Sequence, residues 1–163
     1  MRPRVGISRC LLGDPVRYDG TDKRADDLLR EFSDHVEWVS VCPEVEVGMG
    51  TPREPIHFVT IRRQTRLVGV NSGKDWTETM RAWAEVRARE LAALNLSGYI
   101  FKSRSPSCGI GDTPGVFARA MIEALPDLPI ADEEQLNDPM ARVEFLKRIL
   151  HHRRPGPLPP GAP

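Results

Sequence analysis

The alternation of short β-rich runs with longer helical segments is the feature that most constrains this fold. Four runs have the length and residue types of buried strands, and four segments are typical of helices. The strands are expected at 4–8, 36–41, 99–102 and 128–131, and the helices at 26–32, 76–94, 116–125 and 139–150. Strands separated by helices form a parallel sheet with helices on both faces. The sequence therefore predicts an α/β fold, a Rossmann-like three-layer sandwich with a mainly parallel sheet.

A small insertion and a tail complete the predicted organisation. Two further β-rich segments, 57–62 and 66–70, can pair across residues 63–65, so we expect a β-hairpin inserted in the sandwich. A chain of 163 residues is about one domain long. We expect that domain at 1–152. The segment 153–163 contains five prolines and little to bury, so we expect a flexible tail there.

Charge and hydropathy argue against two classes of protein. Lysine plus arginine and aspartate plus glutamate each number 23, so the formal net charge is zero. This balance does not suit a strongly basic nucleic-acid-binding protein, and a small or neutral substrate fits better. The longest stretch without a charge is eleven residues, Leu91 to Phe101, against roughly 20 for a membrane-spanning helix. With no secretory signal at the N-terminus, we expect a cytoplasmic protein without a membrane partner.

Three cysteines each follow the carboxyl end of a predicted strand. Cys10, Cys42 and Cys108 come after the runs at 4–8, 36–41 and 99–102. The carboxyl ends of parallel strands meet at one edge of a sheet, and ligands bind there. The three thiols are therefore expected to be neighbours, although 32 and 66 residues separate them along the chain.

Three convergent thiols allow several interpretations from the residues alone. Free cysteines are often small buried apolar residues. Three thiolates also suit a zinc ion with an open fourth position, or an iron-sulfur cluster that lacks one protein ligand. An odd number of cysteines makes a disulfide framework a poor explanation. No C-x-x-C pair is present, so spacing does not decide between these interpretations.

The residues around the cysteines form three motifs. They are Cys10–Gly13 with Val16–Gly20, Cys42–Val45 with Gly48 and Pro52-Arg53, and Lys102–Gly109. In this order they closely resemble the thiouracil desulfurase family, over roughly the first 150 residues. The resemblance implies a 4Fe-4S cluster held by Cys10, Cys42 and Cys108, with the fourth iron open. It also implies removal of sulfur from thiolated uracil without net redox change.

The resemblance further implies a catalytic carboxylate and a catalytic serine. They match Glu44 in Cys-Pro-Glu and Ser105 in Ser-Pro-Ser-Cys, with Glu46 as an alternative to Glu44. Glu44 is expected to activate water as a general base, and Ser105 to donate to the substrate or relay a proton. Candidate contacts to the other polar atoms of the substrate are Arg17, Arg53, Lys102 and Ser103.

The expected activity is a hydrolytic carbon-sulfur bond cleavage. The substrate would be 2-thiouracil, 4-thiouracil or a nucleoside such as 4-thiouridine, and the products hydrosulfide and uracil. Longer relatives that act on tRNA carry a second domain, whereas this chain ends after one; with its zero net charge, this favours a base or nucleoside over tRNA. The cluster would come from the iron-sulfur assembly machinery.

Two other functions use the same residues. The first is a zinc-dependent hydrolase in which the three thiolates and Glu44 act on a metal-bound water. The second is a non-enzymatic iron-sulfur carrier or sensor, in which the open iron makes the cluster labile. Colour separates zinc from iron, and turnover separates an enzyme from a carrier.

Overall fold

A four-stranded parallel sheet forms the centre of the protein. The computed structural model describes residues 1–152, so the predicted tail at 153–163 lies outside the described residues. The strands are β1 (Arg4–Ser8), β2 (Glu37–Val41), β5 (Gly98–Phe101) and β6 (Ile130–Asp132), in the order β2-β1-β5-β6. All neighbouring pairs are parallel. The predicted parallel sheet is therefore confirmed.

β1 contains a glycine that makes room for an aromatic ring of the adjacent strand. Val5 and Ile7 of this strand are fully buried. Between them, Gly6 lies against the ring of Tyr99 on the adjacent strand β5, so closely that a Cβ at position 6 would overlap the ring. The absence of a side chain at position 6 thus lets the ring of the large buried Tyr99 pack directly against the backbone of β1.

Helices cover both faces of the sheet, as the alternation predicts. They are α1 (Asp26–Phe32), α2 (Pro43–Glu46), α3 (Thr77–Ala92), α4 (Val116–Ala124) and α5 (Pro139–His151). On one face, Phe32 of α1 and Phe145 of α5 join the core around Val5 and Ile7. On the other face, α3 and α4 pack together with Tyr99 and Phe101. Among residues 1–152, no helix is both long and apolar enough to span a membrane.

The hairpin is present, but its turn differs from the prediction. Strands β3 (Ile56–Ile61) and β4 (Gln64–Gly69) are antiparallel, and Ile61 pairs with Gln64. The turn therefore consists of Arg62 and Arg63, which both have positive φ, and the turn predicted at 63–65 is wrong. Two-residue hairpin turns of this kind favour Asn and Gly, so an Arg-Arg turn carries no local sequence signal.

The short helix α2 has no counterpart in the sequence prediction. Its four residues are too few to show a helical period. Cys42 is its N-cap and Pro43 its first residue, a position where the missing N–H of proline costs no helical hydrogen bond. This turn of helix directs the chain after β2 along the edge of the sheet where the strands end.

Candidate active site

A cavity of about 500 Å³ lies at the carboxyl ends of β1, β2 and β5. The segments that follow these three strands form most of its wall. The lining includes Ser8–Cys10, Val16–Tyr18, Val41–Glu44 and Lys102–Cys108, with Arg53, Pro55 and Ile56 from the chain before and within β3. Cavities of this size accommodate small-molecule ligands. The cavity is at the edge where a parallel sheet is expected to bind its ligand.

All three cysteines line this cavity, as their positions after the strands predict. Each is a buried free thiol. Cys10 lies in a short 3₁₀ turn after β1, Cys42 caps α2, and Cys108 donates its backbone N–H to Ser105 Oγ at 3.1 Å. Within residues 1–152, no three His, Cys, Asp or Glu side chains converge closely enough to hold one metal ion. The three thiols belong to three different segments of the cavity wall.

Burial raises the pKa of all three thiols. Burial raises the pKa of Cys10 to about 11, although the positive charge of Lys102 opposes this rise. Burial likewise raises the pKa of Cys42. The pKa of Cys108 is strongly raised, first by burial and also by the charges of the other two thiolates. A cation or cluster in the cavity would remove this repulsion, since thiolates are the ligating form.

Glu44 lines the cavity and is held on both carboxylate oxygens. Arg53 Nε lies 3.2 Å from Oε1, and only 6% and 15% of the Arg53 and Glu44 side chains are exposed. Ser107 Oγ donates to Oε2 at 3.2 Å. Arg53 also donates to the carbonyl of Gly50 and to the Thr51 hydroxyl. The carboxylate therefore has a defined orientation beside Cys42.

Glu46, the alternative to Glu44, has a different environment. Its Oε2 accepts the backbone N–H of Cys42 at 3.2 Å, and its Oε1 lies 3.1 Å from Arg87 Nε on α3. Glu46 is not among the residues that line the cavity. The two acids thus have separate geometries: Glu44 faces the cavity, whereas Glu46 ties the backbone of Cys42 to α3.

Ser105 is in the cavity wall, and a second serine connects it to Glu44. Ser105 Oγ lies 2.9 Å from Ser107 Oγ and accepts the backbone N–H of Ser107 and of Cys108. Ser107 is fully buried. Sequence reasoning missed it, although it stands next to Cys108 in the motif. Its adjacency to a predicted ligand was the available signal.

The four candidate substrate contacts all line the cavity: Arg17, Arg53, Lys102 and Ser103. Arg17 Nη1 lies 3.4 Å from the Thr21 hydroxyl, and its guanidinium lies over the Tyr18 ring. Lys102 and Ser103 are bound to a residue that sequence reasoning missed, Glu133, directly after β6. Its position at the end of a predicted strand was a signal that could have identified it.

Comparisons with known proteins match this chain to a family, to one relative in sequence and to one solved structure. A sequence profile of the 2-thiouracil desulfurase family matches residues 5–133. The chain is 34% identical over 110 residues to the uncharacterized protein YbbK of Bacillus subtilis (strain 168), a match that covers 64% of this chain and 72% of YbbK. The structure of this chain is similar to that of the 4Fe-4S-dependent thiouracil desulfidase TudS, with a TM-score of 0.66 and 26% sequence identity. The match covers 88% of this chain and 98% of the TudS chain.

Proposed function

The chain belongs to the 2-thiouracil desulfurase family, as its three cysteine motifs predict, and on this premise we propose that it removes sulfur from a thiolated uracil. Water replaces the thiocarbonyl sulfur of 2-thiouracil, 4-thiouracil or a corresponding nucleoside, and hydrosulfide leaves together with uracil or, from a nucleoside, uridine. One water is consumed and no electrons are gained or lost. The observation that carries this proposal is the placement of three thiols and one oriented carboxylate around one cavity.

The cysteines fit an iron-sulfur cluster. Cys10, Cys42 and Cys108 are the ligands in this proposal, and each belongs to a different segment of the cavity wall. A 4Fe-4S cluster takes its thiolates on different irons, so it suits donors arranged around a volume. The structurally similar TudS is a 4Fe-4S-dependent enzyme, which supports the same cluster here. An iron without a protein ligand supplies a soft Lewis acid for a thiocarbonyl sulfur.

Glu44 is the general base of the proposed reaction. It accepts a proton from the water that attacks the thiocarbonyl carbon. Arg53, paired with Glu44 and almost completely buried, fixes the direction of the carboxylate. Because one oxygen is bound to Arg53 and the other to Ser107, Glu44 cannot turn away from the cavity without losing two hydrogen bonds.

The substrate is expected to lie between the three cysteines and residues 102–105. Ser105, in this wall, interacts with the ring of the substrate in our proposal. Arg17, Arg53, Lys102 and Ser103 surround its remaining polar atoms. A cavity of about 500 Å³ suits a base or nucleoside, and the balanced charge of the chain favours these over tRNA. We propose that residues 1–152 form the iron-sulfur domain.

Anaerobic reconstitution with iron and sulfide tests this proposal. The loaded protein is expected to be brown and to release hydrosulfide and uracil in equal amounts from 2-thiouracil or 4-thiouracil, without an added reductant. The cluster is measured by visible absorption, and both products are quantified during turnover.

Two other outcomes would contradict the proposal. A colourless protein that retains zinc and hydrolyses a different substrate would indicate a zinc-dependent hydrolase. A brown protein that converts no thiolated pyrimidine and transfers its cluster to an acceptor protein would indicate a carrier or sensor.

A further inference from the structure

Ser107 lies between the two residues to which the proposed function gives catalytic roles. Its hydroxyl is 2.9 Å from Ser105 Oγ and 3.2 Å from Glu44 Oε2. We infer that Ser107 is a positioning residue that links Ser105 to Glu44 in a hydrogen-bond chain of fixed direction. This inference rests on the proposed function for its catalytic consequence, but the chain itself is a property of the folded protein.

The direction of the chain follows from the number of donors and acceptors. A serine hydroxyl has one proton to donate and two lone pairs to accept. Ser105 Oγ accepts the backbone N–H of Ser107 at 3.2 Å and of Cys108 at 3.1 Å. Both lone pairs are then occupied, so Ser105 must donate its proton to Ser107. Ser107 in turn donates to the carboxylate of Glu44.

The far end of the chain is equally defined. Arg53 Nε occupies the other oxygen of Glu44, Oε1, at 3.2 Å. Ser107 Oγ also lies 3.9 Å from Cys108 Sγ. This sulfur contact is long, whereas the contact to the carboxylate is shorter and charge-assisted. Ser107 therefore donates its hydroxyl proton to Glu44 and not to the sulfur. Each of the two serine hydroxyls thus donates to one group and accepts from others, and the carboxylate of Glu44 only accepts.

Such a chain extends the reach of Glu44 by two hydroxyl groups. When Ser105 passes its proton to Ser107 and Ser107 passes its own proton to Glu44, the lone pair that this leaves on Ser105 Oγ takes a proton from water in the cavity. One O–H bond forms for each one that breaks, and the carboxylate ends as the acid. During the transfer, the two backbone N–H groups on Ser105 stabilise negative charge on its oxygen.

Removal of the Ser107 hydroxyl should leave the loop in place. The carbonyl of Ser107 accepts the backbone N–H groups of Phe117 and Ala118, at 3.0 and 3.1 Å, at the start of α4. These bonds do not use the side chain. Ser107→Ala therefore isolates the hydroxyl, and Ser107→Thr restores a hydroxyl at the same position.

The kinetic test compares Ser105→Ala, Ser107→Ala and the double variant in the anaerobically loaded full chain. Ser107→Ala is expected to lower kcat by at least about tenfold with KM nearly unchanged. The double variant should be no slower than Ser105→Ala, because Ser107 acts through Ser105. Ser107→Thr should recover most of kcat. An unchanged kcat in Ser107→Ala, or losses that multiply in the double variant, would overturn the inference.

A second measurement does not depend on turnover. The thermal unfolding midpoint is measured for Ser107→Ala, Glu44→Gln and their double variant. The double variant should shift the midpoint by less than the sum of the two single shifts, since the two residues share one hydrogen bond. Additive shifts would overturn the hydrogen-bond chain, whether or not the wild type desulfurates thiouracil. A wild type that desulfurates no thiouracil would by itself overturn only the proposed function.

The hydroxyl of Ser33 provides a control for that of Ser107. Ser33→Ala removes a partly buried hydroxyl that accepts the Trp38 indole N–H at 3.1 Å, at the opposite end of β2 from the cavity. It should leave kcat unchanged. If Ser107→Ala alters the visible spectrum of the cluster while kcat stays constant, the hydroxyl serves the Cys108 sulfur and the inference is wrong.

Discussion

The Lys102 ammonium group lies 2.7 Å from the Glu133 carboxylate, and this ion pair joins the ends of β5 and β6 at the wall of the cavity. The other two Lys102 contacts are the carbonyl and hydroxyl of Ser103. Glu133 also accepts the N–H and hydroxyl of Ser103 at 2.7 and 2.6 Å. These contacts hold the ammonium group of Lys102 in place, so that it contributes a fixed positive charge beside Cys10.

Glu133→Gln is expected to destabilise the protein by about 1–3 kcal/mol at neutral pH, because Lys102 loses its charged partner. Burial alone would raise the pKa of Glu133, but hydrogen bonds from Lys102 and Ser103 hold it below its ordinary value of 4.5. Near and just below pH 4.5, the unfolded state therefore binds more protons than the folded state. The stability that Glu133 contributes is complete above pH 4.5 and disappears as the pH falls below that value. Urea unfolding as a function of pH measures this difference.

The neighbouring acid provides the control for Glu133. Glu134 pairs with Arg104, but 48% and 82% of these side chains are exposed. Glu134→Gln should therefore change the free energy of unfolding by less than about 1 kcal/mol. Equal losses in the two variants, or a Glu133→Gln variant with the same acid sensitivity as the wild type, would refute the role assigned to this ion pair.

Glu44 and Glu46 are expected to fail in different ways. Glu44→Gln should lower kcat by about 10²- to 10⁴-fold and leave the visible absorption of the cluster intact. Glu46→Gln should instead weaken cluster retention, because Glu46 binds the backbone N–H of Cys42 and the guanidinium of Arg87. Steady-state kinetics and the rate of bleaching by an iron chelator separate these effects. The opposite pattern would assign the general base to Glu46.

Cys108→Ser is expected to abolish the visible absorption of the loaded protein. Iron-sulfur clusters prefer soft thiolate ligands, and a serine hydroxyl is a hard and weakly acidic replacement. Far-ultraviolet circular dichroism should remain that of the wild type, since the buried site accepts a side chain of the same shape. Full visible absorption and iron content in this variant would remove Cys108 from the ligand set.

Gly6→Ala is expected to destabilise the protein by about 1–3 kcal/mol, the usual range for overpacking a buried site. The new methyl group would overlap the ring of Tyr99, which is fully buried and cannot withdraw without disturbing Phe101 and Phe117. Gly111→Ala is the matched control, because a Cβ there meets no atom within 4 Å. Thermal or urea unfolding should show a large shift only for Gly6→Ala.

Local sequence signals predict the framework of this protein well. Strand and helix lengths and apolar patterns depend on residues near one another in the chain, and the observed β1, α1 and α5 follow them closely. The Arg62–Arg63 turn and α2 escape prediction, because one lacks the usual turn residues and the other is shorter than a helical period.

By itself, the sequence determined that Cys10, Cys42 and Cys108 would share one edge, because parallel strands bring all their carboxyl ends to the same side of a sheet. Only the tertiary structure decided which polar groups face each other there. Glu44 and Ser107 are 63 residues apart, and Ser103 and Glu133 are 30 apart. No periodicity or local motif encodes such pairs, since side-chain partners across a cavity depend on how the completed loops pack together.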